Sequence, residues 1–285
     1  MQCGDDNLYV VKFQNNPQHL RVLANEFLGC GLAREVGLTV PKAALIEVSR
    51  CLIECTPELY VDLGKSRIKF DAGLCFGSAF AGGLMPGHAV DFLPEEQMLH
   101  LRNRQEFAGI LAIDKWLGNV DGRQVVFTRE GREKRYMARF IDFGYCFMSS
   151  SGVNPIWAFS DAPLRGVHPR NDVYKWITGW DSFEPWLSRI ESLSADAIWA
   201  IASAVPVEWY GWNACEMEWL VGKLLERRKL VRDLIEDFGH STRSPFPNWV
   251  AMSRTSITGH FNPFGPASCL PTWLCVPKWT GAFGN

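Results

Sequence analysis

The sequence predicts an α+β protein: a β-rich first third followed by a mainly helical remainder. Two observations carry that reading. Short apolar runs punctuated by Gly and Pro occupy residues 8–13 and 41–80, whereas helical periodicity takes over from Gln105 onward. A third observation gives the chain its centre. The stretch from Asp114 to Phe147 reads DKWLGNVDGRQVVF, then a charged turn, then RYMARFIDFGYCF. Two acids in it sit where a regular element stops, Asp121 just past a helical run and Asp142 at the tip of a strand. Metal-assisted chemistry on phosphate asks for that placement, because one carboxylate handles the attacking hydroxyl and another holds Mg²⁺ against the phosphates.

The strand before Asp142 is read from alternation. Tyr136, Ala138, Phe140 and Asp142 fall on one face, with Met137 and Ile141 opposite, and apolar residues dominate both faces toward its end. A strand of that kind is buried, so its terminal acid is more than a solvated charge. Gly144 follows, and is expected to let the backbone turn sharply and fix the carboxylate's direction.

Bulk properties narrow the function classes. At 285 residues with 47% hydrophobic content the chain can build a core, and a net charge of -2 leaves no electrostatic footprint for nucleic acid or an anionic membrane. The nine cysteines are scattered without a C-x-x-C pair and the six histidines do not cluster with them, so reduced thiols in a cytoplasmic protein are expected rather than a zinc site. No signal peptide is expected from the beginning, MQCGDDNLYVVKF, which lacks a basic segment followed by a long apolar run, and no window reaches the roughly 18 apolar residues of a membrane span.

In chain order, Leu8–Phe13 predicts a strand in which Lys12 interrupts an apolar run, and a buried lysine needs a partner or an anion. Pro17–Leu38 predicts a helix from the spacing of Leu20, Leu23, Phe27 and Arg34, and it carries Glu26. A lysine on a strand and a glutamate on the next helix can pair, aiming the ammonium at phosphate oxygens. GLTVP ends that helix at Gly37 and Pro41. The segments AALIEVS, CLIEC and SRIKFDAGLCFGSAF predict strands, GSAFAGG predicts a loop or bulge, and DFLP at 91–94 marks the crossing to a second half. QEFAGILAIDKWLGN is apolar on most sides and predicts a buried helix. Past its end, Asp121 and Gln124 form a candidate catalytic pair, the acid for the substrate hydroxyl proton and the amide oxygen for a metal ion.

The set VVKF, N-E on a helix, GLTVP, DFLP, F-x-x-x-L-A-x-D-x-W-L-x-N-x-D and F-I-D-F-G, running in order from Leu8 to about Leu225, resembles the HipA-like kinase family of bacteria, a branch of the protein-kinase-like fold. The resemblance implies a two-lobed kinase fold, ATP with Mg²⁺ as cofactors and, as in the best-known members, phosphorylation of protein serine or threonine; the acceptor expected here is a protein or a small-molecule hydroxyl. It implies that Lys12 contacts the ATP phosphates with Glu26 as its partner, that Asp121 is the catalytic acid/base, and that Asp142 ligates Mg²⁺. The expected organisation is a β-rich lobe over 1–94, a helical lobe over 95–239 and an irregular Pro/Gly/aromatic tail over 240–285.

Two departures from the family pattern stand out. Where active relatives carry a metal-binding asparagine a few residues after the catalytic aspartate, the loop here is the shorter DGRQVVF, with Gln124 instead. Seven residues precede the lysine strand, while a phosphate-covering hairpin needs a further strand and its glycine turn; either the chain starts late or that lid is absent. Both departures motivate an alternative, a pseudokinase that binds nucleotide or a protein partner without transferring phosphate. A DNA-associated antitoxin role, as in some relatives, is opposed by the acidic net charge. The connection over 157–174 offers Arg165, His168 and Arg170 as substrate-facing charges. Beyond it a Trp-rich run over 176–193, a helix over 195–204 and a single long helix over 216–238 complete the predicted helical part.

Overall fold

The structure, a computed structural model, describes residues 1–15, 18–62, 64, 66–80, 82, 85–149 and 156–249. VVK forms the end of strand β1 (Tyr9–Lys12), and Phe13 follows it. Ahead of it the chain makes a tight turn, Cys3 N–H to the Asn7 carbonyl at 3.0 Å, that brings Gln2 opposite Leu8. Helix α1 (Arg21–Glu35) follows and is buried along most of its length, from Val22 to Ala33. It starts four residues later than Pro17, a position that itself lies outside the described residues.

Strand β2 (Ala43–Val48) is the predicted AALIEV run, but the next segment corrects the expectation. CLIEC is not a strand. It is helix α2 (Arg50–Cys55), nucleated by Ser49, whose hydroxyl accepts the Leu52 N–H at 3.2 Å. The cap decides the conformation where propensity alone is ambiguous, because Ser satisfies a helix-end donor that a strand would not offer. A hairpin of β3 (Tyr60–Asp62) and β4 (Arg67–Lys69) leads to β5 (Gly73–Ala79). Gly77, Ser78 and Ala79, expected in a loop, are therefore the end of β5. The antiparallel sheet runs β1-β5-β2, with Lys12 opposite Phe76. Period-2 alternation puts Val10 and Lys12 on one face and sends Val11 to a small cluster with Phe13, Val48, Ile53 and Cys75 on the other.

The second half is organised around helix α4 (Glu106–Leu117), which follows the short strand β6 (Ala89–Val90) and helix α3 (Glu95–Met98). Every α4 residue from Phe107 to Leu117 is buried, as its nearly uninterrupted apolar surface demands. Gly118 ends it in the left-handed region at φ 59°, donating to the Asp114 carbonyl, and so turns the chain toward Asp121. Strands β7 (Gln124–Thr128) and β8 (Met137–Ile141) return as a hairpin that β6 extends. Around α4 pack α5 (Glu184–Ser192), α7 (Ala214–Arg227) and α8 (Val231–Gly239), with α6 (Ala195–Ala202) against α1 and α7.

The long helix expected over 216–238 is two helices. Its apolar stripe of Leu220, Leu224, Val231 and Leu234 is buried throughout, but the axis breaks at 228–230, where Arg228 Nη1 donates to the Leu193 carbonyl at 2.5 Å. Each helix can then meet α4 separately. Beyond α8, Arg243 bonds the carbonyls of His168 and Pro169, and Phe246 and Trp249 pack on Phe183. Residues 250–285, with Trp273 and Trp279, lie outside the described residues.

Candidate functional site

Three charged side chains from three distant elements meet at one point. Lys12 on β1 is ion-paired with Glu26 on α1, and its Nζ lies 3.1 Å from Asp142 Oδ1 at the end of β8. Glu26 is buried, while Lys12 and Asp142 keep about a quarter of their side-chain surface open, at 25% and 27%. The charges are coupled. Burial pushes the Glu26 carboxyl up to about 7, the Asp142 charge adding to the rise against the pull of Lys12. Burial would also raise Asp142, but Lys12 and a hydrogen bond from the Glu26 carboxyl outweigh it and hold Asp142 below the usual range. Lys12 in turn is held above its ordinary value, because its two acidic neighbours outweigh the cost of burying the ammonium.

The backbone around Asp142 is built to aim that carboxylate. Asp142 itself, not Gly144, adopts the left-handed conformation, at φ 64°. That corrects the role expected of Gly144, which serves close packing instead. A Cβ there would lie 2.7 Å from Val22 Cγ1 and 3.2 Å from Glu26 Oε1, so only glycine lets the loop approach α1. The unusual Asp142 geometry is held from both sides. Glu26 Oε2 accepts the Phe143 N–H at 2.9 Å, and Asn25 Nδ2 donates to the Gly144 carbonyl at 2.8 Å. Asn25 is fixed by Trp157, whose indole N–H donates to its Oδ1 at 2.8 Å. Phe143 is fully buried against Gly29.

Lys12, Glu26 and Asp142 stand in the wall of a cleft of about 290 Å³ whose other walls are mostly apolar. Val10, Phe76 and Ser78 come from the first sheet, Cys30 from α1, and Val126 and Ile141 from the β7–β8 hairpin. Its volume stands at the lower end of small-ligand pockets, roughly 300–1,000 Å³. An apolar cleft ending in one cation and two carboxylates suits a ligand with an apolar end and an anionic, metal-bound end.

Gln124 opens β7, opposite Ile141, and its Nε2 donates to Asp142 Oδ2 at 3.0 Å. A half-turn of the amide would present Oε1 instead, giving one carboxylate and one amide oxygen on the same side of the cleft. That donor set fits Mg²⁺, which is commonly held by one or two protein oxygens together with water and substrate phosphates. Among the described residues no group of three or more His, Cys, Asp and Glu is arranged to hold a metal unaided.

Asp121 stands apart from the other four. It is exposed on the loop between α4 and β7, where its Oδ1 accepts the Gly122 N–H at 2.8 Å, and no hydrogen bond or ion pair joins it to Lys12, Glu26, Gln124 or Asp142. The loop that carries it is nonetheless tied to the Asp142 loop. Val120 N–H donates to the Tyr145 carbonyl at 3.2 Å, and Arg165 Nη1 to the Val120 carbonyl at 3.0 Å. The strongest tie is Arg123, which sequence reasoning passed over in favour of Gln124. Arg123 is buried, paired to Asp114 on α4, and donates to the carbonyls of Ile141 at 2.5 Å and Asp142 at 3.1 Å. Its guanidinium lies 4.3 Å from the centre of the Phe143 ring. The signal was present, since Asp114 on a helix apolar on most sides requires a buried cation.

Two of the charges expected to face a substrate are engaged within the protein. His168 is 7% exposed, its Nδ1 accepts the Arg170 N–H at 3.1 Å, and burial pushes it down to about 4. Arg170 is paired with Asp172 and donates to the Leu93 carbonyl at 2.5 Å. Together with Arg165 and with Lys115, which donates to the carbonyls of Pro163 and Arg165 at 2.7 Å, they fasten the 157–174 connection to α4 and to the loop that carries Asp121.

Residues 1–132 match the model of the HipA-like kinase family. No curated protein matches the sequence. Among solved structures, the chain is similar to the Helicobacter pylori proinflammatory kinase CtkA, at 14% identity and a TM-score of 0.45, over 81% of this chain and 90% of that one. It is also similar to Shewanella oneidensis MR-1 HipA, solved with HipB and operator DNA, at 13% identity and a TM-score of 0.47. That match covers 81% of this chain and 60% of HipA. Among the described residues no helix is long and apolar enough to cross a membrane.

Proposed function

We propose that the protein is an ATP-dependent phosphotransferase of the HipA-like kinase type, acting on a serine or threonine hydroxyl of a protein, with lobes that meet near residues 94–95. The observation that carries this is the joint hold of Glu26 and Asp142 on Lys12 at the polar end of an apolar cleft. A nucleotide would place its base among Val10, Phe76, Val126 and Ile141 and its phosphates against Lys12. Mg²⁺, held by Asp142 and Gln124, would supply neutralisation of the charge on those phosphates. Lys12 orients the phosphate oxygens, and Glu26 keeps the ammonium from swinging toward solvent. Asp121, exposed and carried on a loop braced by Arg123, receives the proton of the acceptor hydroxyl. Reduced cysteines, free at Cys3, Cys30, Cys51, Cys55, Cys75, Cys146 and Cys215, suit a cytoplasmic setting.

The test is transfer of labelled γ-phosphate from Mg-ATP to the protein itself and to a bacterial lysate, comparing the native chain with Asp121→Asn. Loss of a positioned acid/base lowers the rate about 10²–10⁴-fold. A second reading, a nucleotide- or protein-binding pseudokinase, is favoured by one observation, the separation of Asp121 from the Lys12–Asp142 cluster. Label no higher than in Asp121→Asn, with nucleotide still bound, would select it.

A further inference from the structure

Helix α2 has two faces with different surroundings. Ile53 is 5% exposed and packs with Phe13, Val48 and Cys75, beneath the strand that carries Lys12. On the other side Cys51 and Cys55, one helical turn apart, are both exposed, and their Sγ atoms lie 3.8 Å apart. Cysteine is among the residue types most often buried, so two exposed on one turn are unusual. The Ser49 cap and the Ile53 anchor fix the backbone that presents them.

The separation distinguishes two chemistries. A disulfide needs sulfurs about 2.05 Å apart and Cβ atoms about 3.5–4.5 Å apart. Residues one turn apart on a helix hold their Cβ atoms about 5–6 Å apart, so direct bonding would unwind α2. A single bridging cation needs no such change. Two metal–sulfur bonds of about 2.3 Å spanning 3.8 Å meet at about 111°, close to the tetrahedral angle that thiolate-bound zinc adopts.

We propose that Cys51 and Cys55 form a bidentate dithiolate site for a thiophilic divalent cation of the zinc class. Among the described residues no third His, Cys, Asp or Glu completes a cluster there, so the other coordination positions go to water or a small thiol. On binding, each S–H gives up its proton to solvent, two metal–sulfur bonds form, and four waters leave the hexahydrated ion as it becomes tetrahedral. No electron is transferred. The bridge staples the outer face of α2 and so stiffens the turn whose inner face supports β1.

Cadmium, which reports thiolate bonding by ultraviolet charge-transfer absorption, is the probe. The reduced full chain, Cys51→Ser, Cys55→Ser and the double variant would be titrated with it, circular dichroism checking that each is folded. A chelate predicts that either single variant weakens the tight phase to the level of the double variant, by at least about 10²-fold, and that native binding releases two protons per ion. Singles that each keep half of the signal would show independent thiols and overturn the proposal. So would a double variant with undiminished tight binding, which would place the site among the other cysteines.

Discussion

Arg123 and Asp142 are joined through the backbone: the Arg123 guanidinium donates to the Asp142 carbonyl at 3.1 Å and to that of Ile141 at 2.5 Å, while Asp114 holds its other edge. The loop of the proposed acid/base and the loop of the proposed metal ligand are thus one braced unit. Replacing Arg123 by leucine leaves the Asp114 carboxylate buried without its cation. Unpairing a buried ion pair costs about 3–5 kcal/mol, so urea unfolding of Arg123→Leu should shift by that amount, and Asp114→Asn in the same chain should restore part of it. Restored stability without restored phosphate transfer is the expected pattern, because the brace on Asp142 stays missing.

Gly144→Ala tests the close approach of the Asp142 loop to α1. The added methyl meets Val22 and the Glu26 carboxylate and must push one of them away. Overpacking of this kind costs about 1–3 kcal/mol, and nucleotide affinity, measured by calorimetry, should fall with it because Glu26 loses its hold on Lys12. An alanine variant with native affinity would mean that Val22, not Glu26, gives way to the methyl.

Gln124→Ala separates metal from nucleotide. The variant should bind ATP in EDTA as the native chain does, while its Mg²⁺ requirement in the transfer assay rises. Asp142→Ala should abolish the Mg²⁺ effect altogether.

Two buried groups give stability opposite slopes with pH. Glu26, raised from 4.5 to about 7, contributes stability that is complete below pH 4.5 and is lost as pH rises through 7. His168, lowered from 6.5 to about 4, contributes stability that is complete above pH 6.5 and is lost as pH falls through 4. Their slopes oppose one another between pH 4.5 and 6.5. By thermal unfolding, Glu26→Gln should therefore make stability rise more steeply with pH across that window than it does in the native chain, and His168→Asn should make it fall more steeply.

Several parts of this arrangement are legible in the sequence alone. Lys12 in an apolar strand, Glu26 on the next helix and Asp142 at a buried strand's tip each carry a local signature, and the structure brings those three together. The apolar helix ending before Asp121 is equally local, because burial on all sides follows from composition. Other features are not local. CLIEC has the composition of a strand and becomes α2 through one cap, and the stripe from Leu220 to Leu234 continues across a break that lets two helices pack separately.

What the sequence by itself determined is which residues carry charge inside an apolar setting, since a buried lysine or carboxylate must find a partner and the pattern shows where one is needed. Which partner each finds was decided only by the tertiary structure. Arg123 went to Asp114 and the Asp142 loop, Asn25 to Gly144 and Trp157, and His168 into the interior rather than toward a substrate. Such pairings span up to 132 residues of chain, and their energies depend on distances of a few ångströms that no local pattern encodes.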